Sequence, residues 1–201
     1  MPVQYQSSTV RKETLHTVSL IAPHLRRGDS VLDVGCGQAH VLDELRARGA
    51  GVICGADIVD MRANAAIPFQ KYDGGTLPFP DRAFDVVVLS FVLHHVPDER
   101  KLRLVHEAVR VSRCKILIIE DTPSNLFDRL FNRRHGETYR RKIRSTAAFG
   151  FLTAGEWRWL FRGMGIEPET RPLSRFCRSI LQPFARTLFV LTRPRSNAPA
   201  F

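Results

Sequence analysis

Residues 30–40 read Ser30-Val-Leu-Asp-Val-Gly-Cys-Gly-Gln-Ala-His40. A short apolar run meets two glycines, and a helical stretch follows from His40 to Arg48, with Val41, Leu42 and Leu45 facing inward and Gly49 as its stop. Strand, glycine turn and helix in that order begin a strand–helix–strand unit. The pattern then repeats outward. Gly51 to Ala56 reads as a second buried strand, Ala65 to Tyr72 holds a weaker third, Phe84 to Ser90 is the clearest, and Lys115 to Glu120 is a fifth. A helix over Asp98–Val111 shows Leu102, Val105, Ala108 and Val109 on its apolar face, and residues 9–27 predict a leading helix that Pro23 and Gly28 end. Apolar strands alternating with amphipathic helices imply a parallel sheet covered on both faces. The rhythm changes late in the chain. A helix over Thr153–Met164 carries a capping box of Thr153 and Glu156, and strands are expected at 166–173 and 185–192. About ten residues join that last pair, too few for a helical crossover, so it should be antiparallel. The expected fold is α/β: seven strands, mostly parallel, with the last strand antiparallel and inserted beside the fifth.

The 201 residues fit one domain. It is expected over 1–195, with 122–150 as a cap segment and 196–201 as a frayed tail. Apolar residues at 44% and charged residues at 25% exclude general disorder. The longest nearly apolar run, Val86–Val96, is eleven residues and contains Ser90, His94 and His95. A membrane span needs about 20, so none is expected. With no secretory signal in the opening residues, a cytoplasmic location is expected. Cys36, Cys54, Cys114 and Cys177 include no C-x-x-C and no zinc spacing, so reduced thiols and no metal are expected. The net charge of +10 is uneven: residues 1–100 carry −2 and residues 101–201 carry +12. A basic half suits nucleic acid, anionic lipid or an acidic substrate, but it equally suits solvated surface faces.

The glycine turn lies where ligands bind in an open parallel sheet. Gly35 permits a positive-φ turn, and Gly37 lets the backbone approach a ligand. His40 stands where a dinucleotide fingerprint wants a third glycine, which argues against NAD or FAD, and a P-loop is absent. Asp57, twenty residues after Gly37, is placed to accept both hydroxyls of a ribose. A nucleoside ligand without a pyrophosphate satisfies both facts.

Three segments carry a further resemblance: Val31-Leu-Asp-Val-Gly-Cys-Gly37, Gly55-Ala-Asp57, and Tyr72-Asp-Gly-Gly-Thr-Leu-Pro-Phe-Pro-Asp-Arg-Ala-Phe-Asp-Val-Val-Val-Leu-Ser-Phe-Val-Leu-His-His-Val-Pro-Asp98. Together they resemble class I S-adenosylmethionine-dependent methyltransferases with a Rossmann-like fold, in the small-molecule branch that includes quinone-biosynthesis enzymes. The detailed resemblance covers residues 28–121. Ala39 departs from it, since many members have a third glycine there. The resemblance implies S-adenosylmethionine as cofactor and S-adenosylhomocysteine as product. It implies that Asp33 orients the glycine loop and meets the cofactor's amino group, and that Gly35, Cys36 and Gly37 line the methionine part. Asp57 would hold the ribose hydroxyls and Ile58 would pack on the adenine. Asp73 would meet the exocyclic amine, Gly74 would give it room, and Ser90, Phe91 and Leu93 would line the methyl-donor end. Read without the resemblance, Asp33 is a loop-capping acid and Asp73 a turn residue.

Methyl transfer from a sulfonium is an in-line displacement with an activated leaving group, so the protein chiefly supplies proximity and a dry site. A base matters only when the acceptor loses a proton. His95 leads as candidate base, ahead of His94, and both also suit a turn-capping or packing role. Glu120, Asp121, His135, Glu137 and Tyr139 are further candidates, His135 and Tyr139 as acceptor contacts. Leu126, Phe127, Leu130 and Phe131 recur at helical spacing, as a packed face or a lid. The arginine pairs 133/134 and 140/141 suit an acidic acceptor or plain solvation. The leading reading is methyl transfer to a small-molecule acceptor. A second is an RNA or protein methyltransferase using the basic half, although the N/D-P-P-Y/F motif is absent after strand four. A third is a fold that binds cofactor or partner without catalysis. The residues do not reveal the oligomeric state.

Overall fold

A computed structural model describes residues 3–130, 132, 150–173 and 185–193 of the chain. Its strands are β1 (Val31–Val34), β2 (Ile53–Asp57), β3 (Phe69–Lys71), β4 (Phe84–Ser90), β5 (Ser112–Asp121), β6 (Glu169–Leu173) and β7 (Arg186–Thr192). The helices that position the site are α1 (Ser8–Ile21), α2 (His40–Ala47), α3 (Asp98–Val111) and α4 (Ala154–Gly163). One seven-stranded sheet runs in the order β3-β2-β1-β4-β5-β7-β6. β1 pairs in parallel with β2 and β4, and β4 with β5, while β7 is antiparallel to β5 and β6. The expected fold class therefore stands, including the antiparallel strand beside β5.

Alternation along each strand builds two core layers. Leu32, Val34, Val87 and Leu89 pack with Leu104, Val105 and Ala108 of α3 and with Trp157 and Phe161 of α4. Val31, Val86 and Val88 point the other way, onto Val18 and Ile21 of α1 and Leu42 and Leu45 of α2. Trp157 stacks on Phe161 at 5.6 Å, and Phe161 meets Phe189 of β7 edge-on at 5.4 Å. Burying each such aromatic contributes about 2–3 kcal/mol. The capping box of α4 is formed: Thr153 Oγ1 accepts the Glu156 N–H at 3.1 Å and Glu156 Oε2 accepts the Thr153 N–H at 2.7 Å. β6 is an edge strand, which is why it tolerates Pro172.

Several boundaries differ from the sequence expectation; β2, for example, runs Ile53–Asp57 rather than from Gly51 to Ala56. The leading helix stops at Ile21, and Pro23 converts the next three residues to a 3-10 turn, because proline cannot continue the α ladder. β3 is only three residues long, and β6 starts at Glu169 rather than 166. β5 extends to Ser112–Asp121, since β4 pairs its first residue, Ser112, with Phe84 and β7 pairs its last, Asp121, with Arg186. Neither the tail at 196–201 nor Cys177 is among the described residues.

Candidate active site

β1 is flanked by β2 on one side and β4 on the other, so the chain leaves its carboxyl end at the point where the winding reverses. A crevice at such a point is the ligand site of open α/β sheets. The turn 35–39 sits in it. Gly35, Gly37 and Ala39 all have positive φ, at 73°, 51° and 60°. A Cβ on Gly35 would overlap the Val92 side chain, whereas one on Gly37 would meet no atom of the described residues within 4 Å. Gly35 is thus small because protein presses on it, and Gly37 faces open space. The Gly35 N–H donates to the Ala56 carbonyl at 2.7 Å, and the Gly37 N–H donates to Asp57 Oδ2 at 2.9 Å. Asp57 Oδ1 accepts the Ile58 N–H at 2.7 Å. A carboxylate has about four acceptor positions, so two remain for ligand hydroxyls.

Beyond Asp57 the side chains of Ile58, Val59 and Met61 are each about half exposed, with Ile58 at 53%. They form an apolar ledge at the end of β2. Gly74 lies against it: a Cβ there would sit 3.6 Å from Ile58 Cγ2. Asp73 is exposed, and its Oδ1 accepts the N–H groups of Gly75 at 2.8 Å and Thr76 at 3.1 Å. Those two bonds lower its pKa and make it a turn former whatever else it binds.

On the other side of the turn is a cavity of about 170 Å³. Asp33, Gly35, Cys36, Ser90 and Phe91 line it, with Val10, Glu13, Thr14 and Thr17 of α1 as its outer wall. Asp33 is 4% exposed, and burial, reinforced by the charge of Asp57, pushes its pKa up to about 7. Burial and the same two acids also raise the Cys36 thiol, so it is no ready nucleophile. Ser90 Oγ is buried with no hydrogen-bond partner among the described residues. Phe91 has φ +57°, a conformation that costs a bulky residue strain, and its N–H donates to the Ile119 carbonyl at 2.8 Å. Strained backbone beside an unsatisfied buried hydroxyl is a pattern of binding sites.

The two histidines differ. His94 is buried, and its Nδ1 lies 2.6 Å from Glu120 Oε2, while Glu120 Oε1 accepts the Leu93 N–H at 2.6 Å. Burial opposes its charged form, but the charge and hydrogen bond of Glu120 outweigh this and raise its pKa. Phe151 stacks on His94 at 5.0 Å, and the His95 ring lies 4.1 Å away. Among the described residues, neither histidine lines the cavity of Asp33 and Ser90. Tyr5 donates to Glu44 Oε1 at 2.5 Å and leans on His40 at 5.0 Å, so the first residues close over α2 while α1 walls the cavity. His135, Glu137, Tyr139, Phe131 and both arginine pairs lie outside the described residues. Leu126, Phe127 and Leu130 are exposed on a short helix at 126–130.

Sequence reading missed two features. Glu120 emerges as the partner of His94, and Arg186 enters the cavity wall paired with Asp121 at 2.8 Å. Both pairings depend on strand register, which spacing along the chain does not display.

A methyltransferase-domain family matches residues 6–170, most of the chain. The chain belongs to that family. This methyltransferase domain is 29% identical over 122 residues to 27-O-demethylrifamycin SV methyltransferase of Amycolatopsis mediterranei, covering 54% of the chain and 44% of the relative. It is 36% identical over 104 residues to demethylmenaquinone methyltransferase of Mycolicibacterium paratuberculosis, covering 49% of the chain and 44% of the relative. The chain thus matches less than half the length of these relatives. The domain also shares its fold with magnesium protoporphyrin IX methyltransferase from Synechocystis, solved with bound SAH, at TM-score 0.64 and 16% identity over 96% of this chain and 90% of that one. No helix of the described residues is long and apolar enough to cross a membrane, and those residues hold no group of three or more potential metal ligands among His, Cys, Asp and Glu.

Proposed function

We propose that the chain transfers a methyl group from S-adenosylmethionine to a small-molecule acceptor by in-line displacement. The observation that carries this reading is the crevice itself: a glycine turn open at Gly37 and pinned to Asp57, beside a buried Ser90 hydroxyl that lacks a partner. These residues fit the cofactor. Asp57 has acceptor capacity for ribose hydroxyls, the Ile58 ledge offers an apolar face for adenine, and Gly74 leaves room beside it. Asp73 lies at the same end, where its carboxylate would meet the exocyclic amine. Gly35, Cys36 and Gly37 border the methionine end, where Asp33 supplies a carboxylate for the amino group and Ser90 a hydroxyl. Bound there, the cofactor supplies a methyl group activated by a sulfonium sulfur.

The chain's own part is to align the reactants and keep water out. Phe91, held in its strained conformation by the bond to Ile119, walls the cavity beside Ser90. Glu120 fixes the Leu93–His94 turn from β5, and His95 is the proton acceptor for an acceptor that must lose one. His135 and Tyr139 are the proposed acceptor contacts of a single domain over 1–195, with 122–150 as its proposed substrate-cap segment. The rifamycin and demethylmenaquinone relatives support a small molecule as acceptor.

Isothermal titration of the purified chain with S-adenosylhomocysteine tests the cofactor half of the reading, with micromolar affinity expected. Transfer of labelled methyl from S-adenosylmethionine into a metabolite extract tests the other half. No binding refutes the reading. Labelling of RNA or protein alone replaces the acceptor class.

A further inference from the structure

We propose that Arg186 grips the carboxylate at the amino-acid end of the cofactor, with Asp121 holding the guanidinium in position; this rests on the methyltransferase reading above. Arg186 is 2% exposed and lines the cavity with Asp33, Gly35, Ser90 and Phe91. Its Nε donates to Asp121 Oδ1 at 2.8 Å, and its guanidinium carbon lies 5.4 Å from the centre of the Phe91 ring. The antiparallel register sets Asp121 at the end of β5 opposite Arg186 at the start of β7, so strand pairing fixes the ion pair at the carboxyl edge.

A buried ion pair is a poor device for stability, because its desolvation penalty can exceed its Coulombic gain. The next four residues of β7 fill their places with Thr187, Leu188, Phe189 and Val190. A charged residue at the one position of this strand that reaches the cavity points to a ligand. The charges around the cavity define which. Asp33 and Glu13 are acidic, His16 is the one histidine, and Arg186 is the only lysine or arginine among the described residues that line it. An α-amino acid is a zwitterion and needs an anionic wall for its ammonium and a cationic one for its carboxylate. Asp33 on β1 and Arg186 on β7 stand on opposite sides of β4, which ends in Ser90. Arginine suits the second role because its planar fork matches a carboxylate. Asp121 restricts the fork to one orientation, so less freedom is lost on binding.

The test compares two ligands on the full chain at pH 8: S-adenosylhomocysteine, and 5′-methylthioadenosine, which keeps the nucleoside and sulfur but lacks the amino-acid end. Arg186→Gln should weaken S-adenosylhomocysteine about 10- to 100-fold, the loss of a charge-assisted hydrogen bond, and leave methylthioadenosine within about twofold. Arg186→Lys, which keeps the charge but not the fork, should fall between and serves where the glutamine variant fails to fold. Equal loss for both ligands would overturn the proposal in favour of a structural ion pair. Unchanged affinity for S-adenosylhomocysteine would also overturn it, and a raised acceptor KM in that variant would assign the guanidinium to the acceptor. A wild-type chain that binds neither ligand would refute the methyltransferase reading itself.

Discussion

Replacing Asp33 by Asn should abolish a pH dependence that is expected of the wild-type chain in both stability and cofactor affinity. Asp33 is buried on β1, and burial together with the charge of Asp57 moves its pKa from 3.8 to about 7. Between those values the folded chain binds a proton that the unfolded chain does not. Stability therefore falls as pH rises, because its slope follows the protons bound by the unfolded state minus those bound by the native state, which is negative here. From pH 5 to pH 8 the native carboxyl passes from almost fully protonated to almost fully ionised, which removes about 2–3 kcal/mol. Ligand binding should run the other way. If ionised Asp33 receives the cofactor's ammonium, affinity for S-adenosylhomocysteine should rise about tenfold from pH 6 to pH 8, as the ionised fraction grows from roughly a tenth to nine tenths. Urea unfolding at pH 5, 6, 7 and 8, wild type against Asp33→Asn, gives the first quantity, and titration calorimetry over the same range gives the second. The variant should be the more stable protein at pH 8 and the poorer binder. Parallel stability curves for the two proteins would refute the burial argument. An affinity that ignores pH in the wild type would remove Asp33 from the ammonium.

Asp57→Ala strips acceptors from the Gly37 and Ile58 N–H groups and, in the proposed cofactor site, from the ribose, so S-adenosylhomocysteine affinity should drop by about 1–3 kcal/mol, read by calorimetry. Glu120→Gln breaks a buried pair and should cost about 3–5 kcal/mol. Because Glu120 raises the His94 pKa, the pair's contribution is complete below the ordinary histidine value and lost as pH rises through the raised one; the variant's deficit should shrink in alkaline urea melts. Ala39→Gly relieves a left-handed alanine but gives up a buried methyl and adds chain entropy, so its melting temperature should stay close to wild type, whereas Ala39→Val should lose at least about 2 kcal/mol.

The fold was legible because its signals are local and repeat. Apolar runs such as Phe84–Ser90 admit burial on both faces only, and the gap of about ten residues before β7 excludes a crossover whatever lies elsewhere. The short strand β3 was harder to bound, since it is an edge strand with Gln70 and Lys71 exposed and owes its form to pairing with β2. The glycine turn and Asp57 were legible for a related reason. Their spacing places them on consecutive strand ends of one unit, and the N–H of Gly37 does meet the carboxylate of Asp57. Glu120 with His94 and Asp121 with Arg186 were not legible as pairs. Twenty-six and sixty-five residues separate the partners, and only the register of β4 on β5 and of β5 on β7 brings them together.

Among the described residues, two of the three non-glycine residues with left-handed backbone, Ala39 and Phe91, lie at the candidate site, and the third, Arg82, lies in the turn before β4. Gly35, Gly37, Ala39 and Phe91 all take left-handed backbone within the two turns that leave β1 and β4, and two of the four are not glycine. An alanine or phenylalanine in that region costs about 1–3 kcal/mol and persists only if its surroundings fix it. They do so here from both strand ends. Gly35 bonds to Ala56 of β2, Phe91 bonds to Ile119 of β5, and the Val92 side chain occupies the space a Cβ on Gly35 would need. The last contact makes the two turns a single object: Gly35 must stay bare for Val92 to sit where it does, and Val92 follows the strained Phe91 directly. A larger residue at 35 would therefore disturb the Ser90–Phe91 wall as well as the turn proposed to face the cofactor. Gly35→Ala should then impair cofactor affinity and turnover together, whereas Gly37→Ala, whose Cβ meets no atom of the described residues within 4 Å, should impair affinity by occupying ligand space, with a smaller loss of stability. Thermal melts and S-adenosylhomocysteine titrations on the two variants separate these outcomes, and equal stability losses at both positions would refute the coupling.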